Sequence, residues 1–140
     1  MKVIADTGFI VALGSDNDVH HRWATEVAKQ VTEPALSCEA VLAETAFQLK
    51  SVGYVLALLD RGVLQVAFDF PANLKQLRGL AEKYEDRNPD LADLCLIRMS
   101  ELYPSHTVLT VDESNFRVYR RNKREVIPIL SPRGASGIRD

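Results

Sequence analysis

Apolar and polar positions alternate along this chain in short blocks that read as strands separated by helices. Val3-Ile4-Ala5 is a wholly apolar run broken by Asp6, as in a short buried strand, and Thr7-Gly8 reads as the turn that leaves it. From Val19 to Val31 the residues Val19, Trp23, Val27 and Val31 recur every four positions, with Ala24 and Ala28 beside them, which predicts an amphipathic helix stopped by Pro34. Ala35 to Ser37 predicts a second strand. Ala40 to Lys50 predicts a helix that is apolar around most of its circumference and therefore enclosed. A helix over Gly53 to Arg61 ends at Gly62, a strand comes next at Leu64 to Ala67, and a helix runs from about Ala72 to Tyr84. Asn88-Pro89 opens the next helix, through about Leu102, because Asn can cap and Pro suits a first turn. Thr107 to Val111 and Ile127 to Leu130 supply the last strands.

Short strands spaced by helices pair in parallel through right-handed crossovers. The expected fold is therefore α/β, a three-layer α/β/α sandwich with a central, mostly parallel sheet. At 140 residues the prior is one domain, spanning 1–132, with 133–140, the end of the Ser-, Pro- and Gly-rich stretch Ser131 to Asp140, as a loose tail. No repeat or second domain is apparent.

Composition narrows the function classes. With 46% hydrophobic and 26% charged residues the chain is ordinary globular material. A net charge of −2 argues against a wholly basic surface for nucleic acid, which usually goes with pI above about 9. A polyanion would have to be met by a local patch or a metal. Asp6 breaks the N-terminal apolar stretch that would otherwise suggest a signal peptide, so a cytoplasmic protein is expected. No apolar run approaches the roughly 20 residues that span a bilayer, so no membrane partner is expected. Cys38 and Cys95 are too few for a disulfide framework or a zinc site and read as reduced core thiols.

Four acids stand out against this background. Asp6 and Asp112 each end an apolar strand, whereas Glu44 and Asp93 interrupt helical stretches rich in Leu, Ala and Ile. In a parallel sheet, sites form beyond the carboxyl ends of the strands, where Asp6 and Asp112 would both lie. Each acid also has a structural reading: Asp6 and Asp112 can cap the turns or helices after their strands, and Asp90 and Asp93 have capping-box spacing. Glu44, with Ala40 and Val41 a turn before it and Phe47 a turn after, is costly unless partnered. Two carboxylates about 5 Å apart at an effective dielectric near 20 repel by roughly 3 kcal/mol. Gathering several is a serious charge against a total stability of about 5–15 kcal/mol. Raised pKa values or a divalent cation must relieve it, and all-oxygen ligands point to Mg²⁺ or Mn²⁺ rather than zinc.

Other chemistries find less support. His20, His21 and His106 do not form a catalytic or zinc-binding set, the serines lack nucleophile-elbow glycines, and there is no phosphate-loop or dinucleotide-binding run. A phosphohydrolase of the haloacid dehalogenase type wants a second Asp two residues after the first, where this chain has Gly8. Arg117, Arg120, Arg121, Lys123 and Arg124 form the one basic concentration, readable as a solvated face or as a rim that tracks the phosphates of a polyanion, with Tyr119 as a stacking surface.

Taken together, Asp6-Thr7-Gly8, Val41-Leu42-Ala43-Glu44, Pro89-Asp90-Leu91-Ala92-Asp93 and Leu109-Thr110-Val111-Asp112-Glu113-Ser114-Asn115-Phe116 resemble, in order and spacing, the successive motifs of PIN-domain proteins. The resemblance covers the chain to about Pro132. It implies an α/β/α sandwich and a Mg²⁺- or Mn²⁺-dependent ribonuclease. Asp6, Glu44, Asp93 and Asp112 fall at the family's acidic positions, Asp6 and Asp93 being the direct metal ligands, with Asp90, Thr110 and Asn115 as supporting groups. Asn115 stands where an additional Asp is often found, which puts a second metal position in doubt. Small stand-alone members resemble VapC toxins, which are held silent by an antitoxin protein and commonly form homodimers. The expected reaction is metal-assisted hydrolysis of RNA phosphodiesters leaving 5′-phosphate and 3′-hydroxyl ends, and the alternative is a noncatalytic RNA-binding or partner-binding PIN module.

Overall fold

The computed structural model describes residues 1–136. Strands β1 (Val3–Ala5), β2 (Ala35–Ser37), β3 (Leu64–Val66), β4 (Thr107–Leu109), β7 (Ile129–Ser131) and β8 (Gly134–Ser136) form one six-stranded sheet in the order β3-β2-β1-β4-β7-β8. All neighbours pair in parallel except β7 with β8. The helices are α1 (Thr7–Gly14), α2 (His21–Ala28), α3 (Glu39–Leu49), α4 (Val52–Asp60), α5 (Leu74–Lys83), α6 (Leu91–Leu102) and the single turn α7 (Glu113–Phe116). A two-stranded antiparallel hairpin, β5 (Arg120–Arg121) and β6 (Glu125–Val126), packs on α6.

The α/β/α sandwich arises from the strand order. From β1 the chain steps outward to β2 and β3, then returns past β1 to β4, so right-handed crossovers put α1–α4 on one face and α5–α6 on the other. Val3, Ile4, Val108, Leu109 and Ile129 are buried between the layers, flanked by Phe9 and Ile10 of α1 and by Leu96, Ile97 and Met99 of α6. The direction of winding reverses between β1 and β4, the place beyond whose carboxyl ends open α/β sheets form their crevice.

Local chemistry shifts several expected boundaries. Thr7 and Gly8 are the first turn of α1, begun by Asp6, whose Oδ1 accepts from the Thr7 N–H at 2.6 Å. Gly8 serves clearance rather than turning, since a Cβ there would lie 2.2 Å from Val111 Cγ2. Asn88 does not cap α6. It sits in the left-handed region (φ 47°) at the end of a 3₁₀ turn, Glu85–Arg87, and the cap is Asp90, whose Oδ1 accepts from the Asp93 N–H at 2.8 Å. The helix expected to be enclosed, α3, leaves Phe47 82% exposed. Of the tail expected over 133–140, the described part is ordered. Gly134, at φ 125°, closes a tight return, and 134–136 pair with β7 as the edge strand, while 137–140 lie outside the described residues. Among the described residues no helix is long and apolar enough to cross a membrane.

Candidate active site

Sheet register brings the ends of β1 and β4 together. Ala5 is opposite Leu109, so Asp6 and Thr110 leave the sheet side by side, and Thr110 Oγ1 donates to Asp6 Oδ2 at 2.7 Å. The same hydroxyl accepts from the Asp112 N–H at 3.0 Å, which turns the chain toward α7. From the α3 side Glu44 Oε2 accepts from Thr7 Oγ1 at 3.1 Å, beside Asp6. From the α6 side Asp93 Oδ2 accepts from Tyr119 Oη at 3.1 Å. Asp112 is held by Asn115, whose Nδ2 donates to Oδ2 at 3.0 Å and whose N–H donates to Oδ1 at 3.4 Å. Arg87 Nη2 donates to Asn115 Oδ1 at 2.9 Å and sets that amide's orientation.

Electrostatics records the convergence. Burial pushes the Asp6 carboxyl up to about 6 against the hydrogen bonds from Thr110 and Thr7, and repulsion from Asp112 and Glu44 adds to the rise. Burial also lifts Asp93 to about 7, assisted by repulsion from Asp90, Asp6 and Asp112 and opposed by the Tyr119 hydroxyl. Asp6 thus feels the charges of Glu44 and Asp112, and Asp93 those of Asp6 and Asp112, so acids from four separate stretches of chain are linked through Asp6. Tyr119 in turn is raised, by burial and by the Asp93 charge.

Structural and chemical readings of these acids coincide in the same side chains. Asp6, Asp90 and Asp112 each cap a helix, yet Asp6 and Asp112 also stand close enough for the second to repel the first. In Asp6 the capping oxygen takes the Thr7 N–H and the second oxygen takes Thr110, while in Asp112 both oxygens are held by Asn115.

The basic run is dispersed. Arg121 is only 5% exposed, with Nη1 on Ser100 O and Nη2 on Glu125 Oε1, both at 2.8 Å, so it is a structural cation and not a phosphate-tracking one. Ser100 lies seven residues along α6 from Asp93, about 10 Å at 1.5 Å per residue. Arg117 pairs with Glu113, and Arg120 Nη1 is taken by the carbonyls of Arg117, Val118 and Tyr119. Lys123 and Arg124 are exposed on the hairpin turn. Tyr119 is 1% exposed, so it stacks on protein, edge-to-face with Tyr84 and Phe116, rather than on a base. Sequence reasoning missed its bond to Asp93, the bridging role of Thr7, and Arg87 altogether. Thr7 carried a signal in its adjacency to Asp6; Arg87 and Tyr119 carried none.

The PIN domain profile matches residues 3–122. The chain belongs to the PIN-domain family. Among curated proteins none matches it. PIN domains are generally nucleases, often found in toxin–antitoxin systems, and they typically use divalent metal ions. In this PIN domain, among the described residues, no three Asp, Glu, His or Cys side chains are drawn together closely enough to chelate an ion unaided. The donor set fits Mg²⁺ or Mn²⁺ nevertheless, because small hard cations keep several waters and are held through one or two carboxylates plus substrate phosphate, whereas zinc asks for His or Cys.

Proposed function

We infer that this protein is a Mg²⁺- or Mn²⁺-dependent endoribonuclease, the toxin of a toxin–antitoxin pair. The observation that carries the reading is the meeting of Asp6, at the end of β1, with Asp93, in the first turn of α6, close enough for the carboxylates to repel, with Thr110 and Tyr119 each holding one oxygen where the sheet reverses direction. Asp6 and Asp93 would hold the cation. When bound, such an ion neutralises charge on the phosphate and lowers the pKa of an attacking water.

The chain's own groups supply the rest. Thr110 and the Thr7 N–H fix Asp6 with a hydrogen bond on each oxygen, and Tyr119 fixes Asp93 through one oxygen. Glu44 and Asp112 flank the pair as acceptors that orient water and take its proton, Asp112 being kept in place by Asn115. No histidine is needed. Exposed apolar side chains on adjoining helices, Phe47 of α3 with Val52 and Leu56 of α4, support a partner surface of the kind a homodimer or an antitoxin would cover.

The test is cleavage of RNA by purified protein in Mn²⁺ and in EDTA, beside Asp6→Asn and Asp93→Asn. Cleavage that leaves 5′-phosphate ends and requires the metal and both acids is expected. RNA binding without cleavage and indifferent to EDTA would instead identify a noncatalytic PIN module. Growth arrest on expression, absent with Asp6→Asn, is the expected mark of the toxin role.

A further inference from the structure

We propose that Arg87 is the substrate-phosphate clamp of this site, gripping a nonbridging oxygen of the RNA backbone beside the acidic crevice; the proposal rests on the ribonuclease reading above. Three observations lead to it.

The first is position. Arg87 Nη2 bonds the amide oxygen of Asn115, the residue whose other amide atom holds Asp112. Its charge is also felt by the Tyr119 hydroxyl, which holds Asp93. The guanidinium thus stands beside the supports of two of the four acids.

The second is availability. Arg87 is exposed and, among the described residues, forms no ion pair with a carboxylate. A single neutral amide oxygen takes one of its five N–H donors, which leaves a face of the fork for an anion. The arginines of the 117–121 run differ, since Glu113, backbone carbonyls and Glu125 already occupy them.

The third is rigidity. Arg87 closes a 3₁₀ turn in which its N–H bonds Tyr84 O at 2.9 Å and the Asn88 N–H bonds Glu85 O at 3.1 Å. Asn88 in the left-handed region and Pro89 then fix the path into the α6 cap at Asp90. A clamp on such a backbone loses little further backbone entropy when it engages, and the bond to Asn115 already restrains its side chain. An acidic crevice repels a polyanion, and a cation held at its rim without a carboxylate partner supplies the local attraction that a net charge of −2 does not.

The experiment measures binding of a short mixed-sequence single-stranded RNA to Asp6→Asn protein, which separates binding from cleavage, across a series of salt concentrations. Adding Arg87→Ala should weaken binding roughly tenfold to a hundredfold. It should also reduce the slope of log affinity against log salt by about 0.7, one phosphate contact. Arg87→Lys should keep the slope while losing part of the affinity, because it keeps the charge but not the fork. Should Arg87→Ala fold poorly by circular dichroism, the Arg87→Lys and Arg87→Gln pair carries the same comparison. A role confined to propping Asn115 would show as equal effects of Arg87→Ala and Asn115→Ala with an unchanged salt slope, and would overturn the proposal, as would RNA binding indifferent to position 87 or undetectable with Arg87 present. RNA held through Arg87 by a wild-type protein that never cleaves would sink the nuclease reading and leave the clamp standing.

Discussion

Thr110 Oγ1 donates to Asp6 Oδ2 over 2.7 Å, although 104 positions separate the two residues in sequence. The bond ties the end of β4 to the end of β1 inside the crevice. Thr110→Val keeps the shape and removes the hydroxyl, leaving a buried Asp6 carboxylate oxygen and the Asp112 N–H without this partner. A loss of about 1–3 kcal/mol is expected in urea unfolding. It should be larger at pH 8 than at pH 4, because the lost bond favoured the charged form of Asp6. Thr110→Ser should recover most of it, and in an Asp6→Asn background the deficit should shrink.

Stability of the metal-free protein should depend on pH in a defined direction. Asp6 and Asp93 have folded-state values raised to about 6 and about 7 from 3.8. Protonation therefore favours the folded chain. Its contribution is complete below the unfolded value, and it disappears as pH rises through about 6 and then about 7. For Asp6 the contribution is on the order of 3 kcal/mol. Asp6→Asn mimics the neutral form, so wild type should approach or exceed it near pH 4 and fall below it near pH 8. Mn²⁺ should raise the wild-type melting temperature most at pH 8. Melting curves that stay flat from about pH 4 to 8 and ignore Mn²⁺ would contradict the crowding of acids.

Asp90 acts on Asp93 in two ways, capping its backbone N–H and repelling its carboxylate. The two separate by substitution. Asp90→Ala removes both and should cost about 1 kcal/mol of stability through the lost cap. Asp90→Asn keeps a capping oxygen without the charge and should be near neutral in stability. Both variants should lower the Asp93 titration midpoint, measured by carboxyl-carbon NMR.

Gly8→Ala places a methyl group against Val111 Cγ2, a short β-branched side chain that must shift to admit it. Overpacking of this kind costs about 1–3 kcal/mol. Because Val111 directly follows Thr110, the strain should also loosen the Asp6 contact. Gly8→Ala combined with Val111→Ala should regain much of the stability of Gly8→Ala alone, as read from chemical denaturation. If the double variant is as unstable as the sum of its parts, the clash is not the cause.

Much of the fold is legible in the chain because its strands are short apolar runs with distinct breakers. β1 and β2 have the bounds expected of their short apolar runs, and α6 is recognisable as a helical stretch rich in Leu, Ala and Ile. Boundaries failed where one residue serves two purposes. Thr7-Gly8 has turn composition, but Asp6 caps it into a helix, and Gly8 is small because Val111 stands above it. Pro132-Arg133-Gly134 has the composition of a tail, yet it is the return into an edge strand. In the site, carboxylates in apolar surroundings were visible as anomalies of burial. Their partners were not, since the bonds from Tyr119 to Asp93 and from Arg87 to Asn115 join residues 26 and 28 positions apart. The basic run shows the converse, because proximity in sequence did not make a surface once Arg121 turned inward to the end of α6.

If Asp6 and Asp93 share one divalent cation, calorimetric titration of Mn²⁺ into the purified protein near pH 8 will reveal it. Saturable binding by wild type is expected, lost in Asp6→Asn and in Asp93→Asn while both remain folded, and retained in Asp90→Asn. Undiminished binding by both Asn variants at positions 6 and 93, or no binding by folded wild type, would rule the shared cation out.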